Sequence, residues 1–281
     1  MPLVPAHRNS LPIAMFDSGV GGLTVLHECL VSLPNEDFVY LGDTARFPYG
    51  NRDQIELREF ALELAELLLA EGAKLLVVAC NSATAAALSQ LREALRGRVG
   101  VVAVVEPESR LAAHSTRNGH VGLLATPATV TSGAYLRALK AAVPDAELHA
   151  VACAELAPLI QAGDEFDQRI VDVVEAYCDP LRAARVDTVI LGCTHYPLVR
   201  PILQRALGRA VTIISSGQAI ADAVHDELRR EGIENEPSRR GRYSFLSTGD
   251  PEAFRRVGTR FLQMPLGLVR EVQVREARRA A

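Results

Sequence analysis

The sequence predicts an α/β fold of two similar domains, each a mostly parallel sheet covered by helices, related by pseudo-symmetry with a cleft between them. Three observations carry this expectation. Strands that are apolar throughout, such as KLLVVAC (74–80) and DTVILGC (187–193), alternate with amphipathic helical stretches, as a parallel sheet buried on both faces requires. The same grammar restarts halfway along the chain. Each half also carries a hydroxyl-bearing turn after its first strand and a cysteine ending a later one: Cys80 follows Asp17 by 63 positions and Cys193 follows Thr126 by 67. In open α/β sheets the ligand crevice lies beyond the carboxyl ends of the strands, which is where both cysteines are expected.

The elements follow in order. LPIAMF (11–16) reads as a buried strand, 23–31 as the helix after it, and DFVYLGD (37–43) as a second strand. Over 54–70, Ile55, Leu57, Phe60, Leu62, Leu64, Leu67 and Leu68 recur close to a helical period. Gly72 stops that helix and 74–80 is the third strand. In the second half VGLLAT (121–126) is a strand, a helix runs through Tyr135, and 146–153 is another strand. A helix near 167–184 leads into the strand 187–193. VTIIS (211–215) and RYSFLST (242–248) are the last strands, EGIENEPSRRG (231–241) is a solvated loop, and the Arg-rich end from Arg275 is expected to fray.

Composition narrows the function classes. A chain of 281 residues with 48% hydrophobic and 23% charged side chains has room for two globular domains and is neither disordered nor fibrous. No run approaches the ~20 apolar residues of a membrane span, and MPLVPAHRNSLP lacks the pattern of a secretory leader. A net charge of −4 gives no electrostatic reason to expect nucleic acid. The five cysteines are scattered, with no CxxC pair, so a reducing cytoplasm is the expected setting and a disulfide framework is not. Cys29, Cys153 and Cys178 read as structural, and His27, His114, His120, His149 and His225 as core or surface residues without chemical neighbours. Only two lysines occur, Lys74 and Lys140.

Four motifs carry chemistry. DSGVGGLT (17–24) lies between a strand and a helix; its glycines and helix N–H groups suit an anion, or else Asp17 or Ser18 simply caps the helix. It lacks the third glycine of a dinucleotide fingerprint and the GK[ST] of a phosphate loop. In GDTARFPYG (42–50), Asp43-Thr44 reads as a cap and 48–50 as a rigid turn presenting a phenol and N–H groups. ACNSAT (79–84) and GCTHYP (192–197) each place a cysteine where an apolar strand becomes a helix N-terminus, which lowers a thiol pKa and lets thiolate form near neutrality. His195 stands two residues after Cys193 to relay a proton. A zinc site from Cys80, Cys193 and His195 would have only three sure ligands.

Two cysteines facing each other across a cleft suit proton transfer at a stereocentre: one thiolate removes the α-proton from one face and the opposite thiol returns a proton to the other. Neither Lys74, leading into a strand, nor Lys140, on a helix pattern, is placed as a Schiff-base residue should be. A cofactor-free route follows, with backbone N–H groups and hydroxyls holding carboxylates in a water-poor cleft.

FDSGVGGLTVL, YLGDTARFPYG, VVACNSATAAAL, GLLATPATVTSGAY and VILGCTHYPLV, in this order from about Ile13 to Val199, together resemble the glutamate racemases, with a weaker likeness at FLSTGDPEAF. The resemblance implies two flavodoxin-like α/β domains, no cofactor, no metal, and glutamate between two catalytic cysteines. Carried over by motif, Cys80 and Cys193 are the acid–base pair, with Asp17 assisting Cys80 and His195 assisting Cys193. Asp17, Ser18, Tyr49, Gly50, Asn81, Ser82, Thr194 and His195 are the expected glutamate contacts. The family makes D-glutamate for bacterial peptidoglycan, in the cytoplasm, with no nucleic-acid or membrane partner; a homodimer is one assembly open to it. It also implies a return of the chain to the first domain, giving 1–105 with 214–281 as one domain and 106–213 as the other. The chain departs from the family pattern at Ser82, usually threonine, and at Gln161 in APLIQAG (157–163), usually a glutamate thought to assist the second cysteine. Other readings are an aspartate or related racemase with the same two cysteines, a nucleotide-binding α/β protein, and a periplasmic-type binding module.

Overall fold

The computed structural model describes residues 8–163 and 167–274. The frayed end expected from Arg275 lies outside them, as does most of the opening segment MPLVPAHRNSLP. The first half contains β1 (Ile13–Asp17), α1 (Leu23–Ser32), β2 (Phe38–Gly42), a 3₁₀ turn (Thr44–Arg46), α2 (Gln54–Ala70), β3 (Leu75–Val78), α3 (Asn81–Ala94), β4 (Gly100–Ala103) and α4 (Val105–Ser115). The second contains β5 (His120–Ala125), α5 (Pro127–Ser132), α6 (Ala134–Ala142), β6 (Glu147–Ala152), α7 (Leu156–Ala162), α8 (Gln168–Ala183), β7 (Thr188–Gly192), a 3₁₀ turn (Tyr196–Val199), α9 (Arg200–Leu207) and β8 (Thr212–Ile214). Then come α10 (Ser216–Glu231), β9 (Tyr243–Ser247), α11 (Pro251–Leu262) and β10 (Val269–Glu271).

The strands form two sheets, ordered β10-β9-β2-β1-β3-β4 and β6-β5-β7-β8. Every strand pair among the described residues is parallel. Strand β1 is central and wholly buried, and its alternation sends side chains to two cores. Ile13 and Met15 join Leu23, Leu26, Ile220 and Phe261 on one face. Ala14 and Phe16 join Leu57, Leu64, Leu68, Ala87 and Leu91 on the other. An unbroken apolar strand is the consequence, and each large aliphatic side chain so buried contributes about 1.5–3 kcal/mol.

Local chemistry sets the helix ends. Asp53 caps α2 by accepting from the Ile55 and Glu56 N–H groups, both at 2.8 Å, and Gly72 beyond its end has φ +81°, which a side chain would strain. Thr126 caps α5 with Pro127 in the first turn. Gly133, at φ 66°, divides α5 from α6, so the single helix expected through Tyr135 is two.

Other expectations need correction. Two edge strands are absent from the expected order: β10, short and charged in VRE, has no signal of its own, whereas β4 lies in the apolar run VGVVAVV (99–105) and carries one. The 231–241 loop is not wholly solvated: Ile233 and Asn235 are buried. The Asn235 N–H donates to Glu36 Oε1 at 2.8 Å. In the first sheet β2 and β3 flank β1 on opposite sides, and β6 and β7 flank β5 likewise. Each sheet therefore has a switch point at the carboxyl end of its central strand.

Candidate active site

One crevice lies between the two switch points, lined from the first sheet by Ser18 and Cys80 and from the second by Thr126 and Cys193. Of the residues singled out in the sequence, Tyr49, Gly50, Asn81, Ser82, Thr194 and His195 also line it, and Asp17 lies fully buried behind Ser18.

Cys80, two residues beyond β3, is the N-cap of α3, and its Sγ accepts from the Ala83 N–H at 3.4 Å. Ser18 reaches the same sulfur through its hydroxyl and its backbone N–H. These bonds favour thiolate, yet burial outweighs them and, with the Asp17 carboxylate adding repulsion, pushes the thiol up to about 12. Burial likewise pushes Cys193 well above its ordinary value, against a bond from the backbone N–H of His195. The expectation of thiolate near neutrality is thus corrected: at rest both cysteines are thiols. The symmetry of the helix termini is also incomplete, because Cys193 leads into a 3₁₀ turn and only then into α9.

His195 supplies what the second side lacks. Its ring lies between Phe47, stacked with centroids 5.5 Å apart, and Phe261, edge-on at 5.1 Å. That apolar enclosure, aided by the nearby Arg260 charge, lowers its pKa to about 3, so the imidazole is neutral. Nε2 faces Gln161 Oε1 at 2.9 Å and Nδ1 faces Cys193 Sγ at 3.9 Å. An amide oxygen only accepts, so Nε2 carries the proton and the Nδ1 lone pair points at the thiol. Arg260 on α11 holds this arrangement by donating to the carbonyls of Ile160, Gln161 and Gly163 at the end of α7, where a cation complements the helix dipole.

The glycine-rich turn does more than leave room for an anion. Asp17 Oδ1 accepts from the Gly19 N–H at 2.9 Å, while Oδ2 accepts from Thr194 Oγ1 at 3.1 Å, joining the turn after β1 to the one after β7. Thr24 Oγ1 donates to the Thr194 carbonyl at 3.0 Å. A Cβ on Gly21 would stand 2.3 Å from Thr194 Oγ1 and 2.4 Å from His195 Nδ1, so only glycine admits this approach. The capping reading holds in part: the N-cap of α1 is Gly22, which has no side chain, and the Asp17 carboxylate takes bonds from the Gly19 and Gly22 N–H groups leading into that helix.

Asp43 is corrected too: its side chain caps nothing. It pairs with Arg46 Nε at 2.6 Å and accepts from Thr248 and from the Tyr49 phenol. The Tyr49 hydroxyl is thereby committed to Asp43 and holds the turn that presents Gly50. Ser82 Oγ lies 2.9 Å from Thr126 Oγ1 and 3.2 Å from Thr129 Oγ1, a hydroxyl cluster joining α3 to α5.

Sequence reasoning missed Glu108 and Tyr135. Asn81 Nδ2 donates to Tyr135 Oη at 2.6 Å and to Glu108 Oε2 at 3.2 Å; Tyr135 and, at 2.5 Å, Ser216 Oγ also donate to that carboxylate. Glu108 sits in VEPESRLA among charges that are mostly at the surface, so nothing in its neighbours signals burial. Burial raises its pKa to about 7. Its ordinary value is 4.5, so between pH 4.5 and 7 the folded state holds a proton that the unfolded chain releases. Stability must then fall as pH rises through this window, by about 3 kcal/mol in all. Denaturant titrations at pH 5 and 7.5 should show a smaller difference for Glu108→Gln than for the parent protein; an equal difference would remove Glu108 as its source.

Comparison with known proteins places this arrangement. The family model for Asp/Glu/hydantoin racemases matches residues 25–224. The chain is 46% identical over 261 residues to the glutamate racemase of Beutenbergia cavernae, covering 89% of each chain. Its fold is similar to that of a glutamate racemase isoform from Bacillus anthracis, with a TM-score of 0.89, 36% identity, and 95% of this chain and 98% of the other covered. It is also similar to the Francisella tularensis glutamate racemase solved with D-glutamate, with a TM-score of 0.87, 30% identity, and 94% and 98% covered.

Proposed function

Since the chain belongs to the Asp/Glu/hydantoin racemase family and is an amino-acid racemase, we propose that it interconverts L- and D-glutamate by a two-base, cofactor-independent mechanism. The observation that carries this is the pair of cysteines at matching positions of two matching sheets, facing one crevice. In this reading one thiolate takes the α-proton while the opposite thiol delivers its own, and the roles exchange in reverse. Cys80, with Asp17 behind it, serves one face; Cys193, whose proton passes to His195 Nδ1, serves the other. Asn81 Oδ1 is buried with no hydrogen-bond partner, an acceptor waiting for the substrate ammonium. The ammonium charge would in turn favour the thiolate that burial disfavours. Ser18, Gly50, Ser82 and Thr194 offer donors to the carboxylates.

Support for a route without pyridoxal comes from the two lysines. Lys74 is buried at the amino end of β3, 2.5 Å from Glu36, and Lys140 Nζ donates to the Pro144 carbonyl on an exposed turn. The domains in this reading are 1–105 with 214–281 and 106–213, supported by β9 pairing with β2. The role is D-glutamate supply for bacterial peptidoglycan in the cytoplasm.

The test is circular dichroism of L-glutamate in deuterium oxide with EDTA-treated, pyridoxal-free protein and L-aspartate as control. Loss of the glutamate signal with deuterium at Cα supports the proposal. Decay with aspartate alone moves the substrate, and silence with both leaves the cysteines structural.

Gln161 gives a sharper prediction. Gln161→Glu would place a carboxylate on His195 Nε2–H and raise the pKa of the ring from about 3. The acid limb of kcat should move to higher pH. Because the equilibrium constant is one, kcat/KM must stay equal in the two directions, so kcat and KM should shift together and unequally for L and D. Unchanged pH profiles in both directions would remove Gln161 from the mechanism.

A further inference from the structure

At the opposite end of the second sheet from the crevice, three metal-ligating side chains converge. His120 opens β5 and Glu147 opens β6, and the parallel register sets them side by side; His149 follows Glu147 by two residues and therefore shares its face. His120 Nδ1 is 3.1 Å from His149 Nε2, His120 Nδ1 is 3.4 Å from Glu147 Oε2, and His149 Nε2 is 3.7 Å from Glu147 Oε2. The same three atoms thus form one nearly equilateral triangle. A tetrahedral zinc ion with bonds of about 2.0–2.2 Å needs ligand atoms about 3.3–3.6 Å apart. The observed edges bracket that value.

We propose that His120, Glu147 and His149 form a binding site for one divalent transition-metal ion, zinc by geometry, with its fourth position open to water. Two imidazoles and a carboxylate suit zinc, nickel or copper and not magnesium or calcium. The frame is already rigid: the backbone N–H of His120 is fixed by Asn118 Oδ1 at 2.9 Å and that of Glu147 by the Gly119 carbonyl at 2.8 Å. Side-chain exposures of 39%, 64% and 30% for His120, Glu147 and His149 leave the ion a way in. Six residues of β5, roughly 20 Å, separate His120 from Thr126, so the ion would clamp edge strand β6 to β5 and take no part in proton transfer.

The experiment uses the untagged, EDTA-treated full chain, titrated with zinc chloride by calorimetry while the thermal midpoint is followed. One ion per chain, a raised midpoint and unchanged racemase activity are expected. Second-shell changes alone weaken metal sites by about 10- to 100-fold, so His149→Ala and Glu147→Gln should each weaken binding by at least about tenfold. Cobalt in place of zinc should give visible bands without thiolate charge transfer. No saturable binding, equal binding in His149→Ala, or a thiolate band pointing to Cys80 and Cys193 would overturn the proposal.

Discussion

Cys80→Ser and Cys193→Ser should each lower racemisation in both directions by about 10²–10⁴-fold, the usual contribution of a positioned acid or base. A serine hydroxyl is a far weaker acid than a thiol, so its alkoxide does not form to take the α-proton and its own proton is not readily delivered. The fold should survive, because Cys80 is already the N-cap of α3 and serine is the better cap. The two variants should differ in what remains. With Cys193 intact, Cys80→Ser should still exchange the α-proton of one enantiomer with deuterium oxide, and Cys193→Ser that of the other. Proton NMR of each enantiomer with each variant reads this directly. If both variants kept kcat within tenfold, about 1.4 kcal/mol, the two-base reading would be wrong.

The resting state of those thiols was the part of the site least legible in the sequence. A helix N-terminus after a cysteine is visible as strand-then-helix, and the sign it implies is correct: the Ala83 N–H does favour thiolate at Cys80. What a sequence does not display is how dry the position is, and at Cys80 and Cys193 burial is the larger effect. The strands were legible because a central parallel strand such as β1 must be apolar on both faces. Strand β10 was not, since an edge strand is half exposed and its VRE carries no such demand. His120 and His149 looked unconnected because register, which no local pattern encodes, brings β6 beside β5. The glycines of DSGVGG could be assigned to close approach, but not to what approaches: at Gly21 it is the second cysteine's own loop, through Thr194 and His195. The two halves of the site are therefore built against one another, and the Asp17–Thr194 hydrogen bond ties the turn beside Cys80 to the residue after Cys193.

Lys74→Met should destabilise the protein by about 3–5 kcal/mol, the cost of leaving one partner of a buried ion pair uncompensated. The lysine is fully buried, and its ammonium donates to the Asn9 carbonyl at 2.7 Å and the Ile233 carbonyl at 2.8 Å besides pairing with Glu36 at 2.5 Å. It joins the amino end of β3 to the segment before β1, the turn before β2 and the loop after α10, four segments far apart in sequence. Burial lowers its pKa while the Glu36 carboxylate opposes that shift, so the pair is held together by mutual need more than by net attraction. Removing the lysine strands Glu36, which is 4% exposed, and two carbonyls at once. The midpoint of urea unfolding should drop with an unchanged slope. Glu36→Gln in the same chain should restore part of the loss, because the amide oxygen can still accept from the Asn235 N–H; the double-mutant cycle then reports the coupling. Breaking the exposed Arg98–Glu66 pair, where both side chains are about half in solvent, should leave the midpoint almost unmoved. A loss under about 1 kcal/mol for Lys74→Met would mean that water or a shifted loop reaches Glu36, and the 231–241 loop would then contribute little to holding the first sheet together.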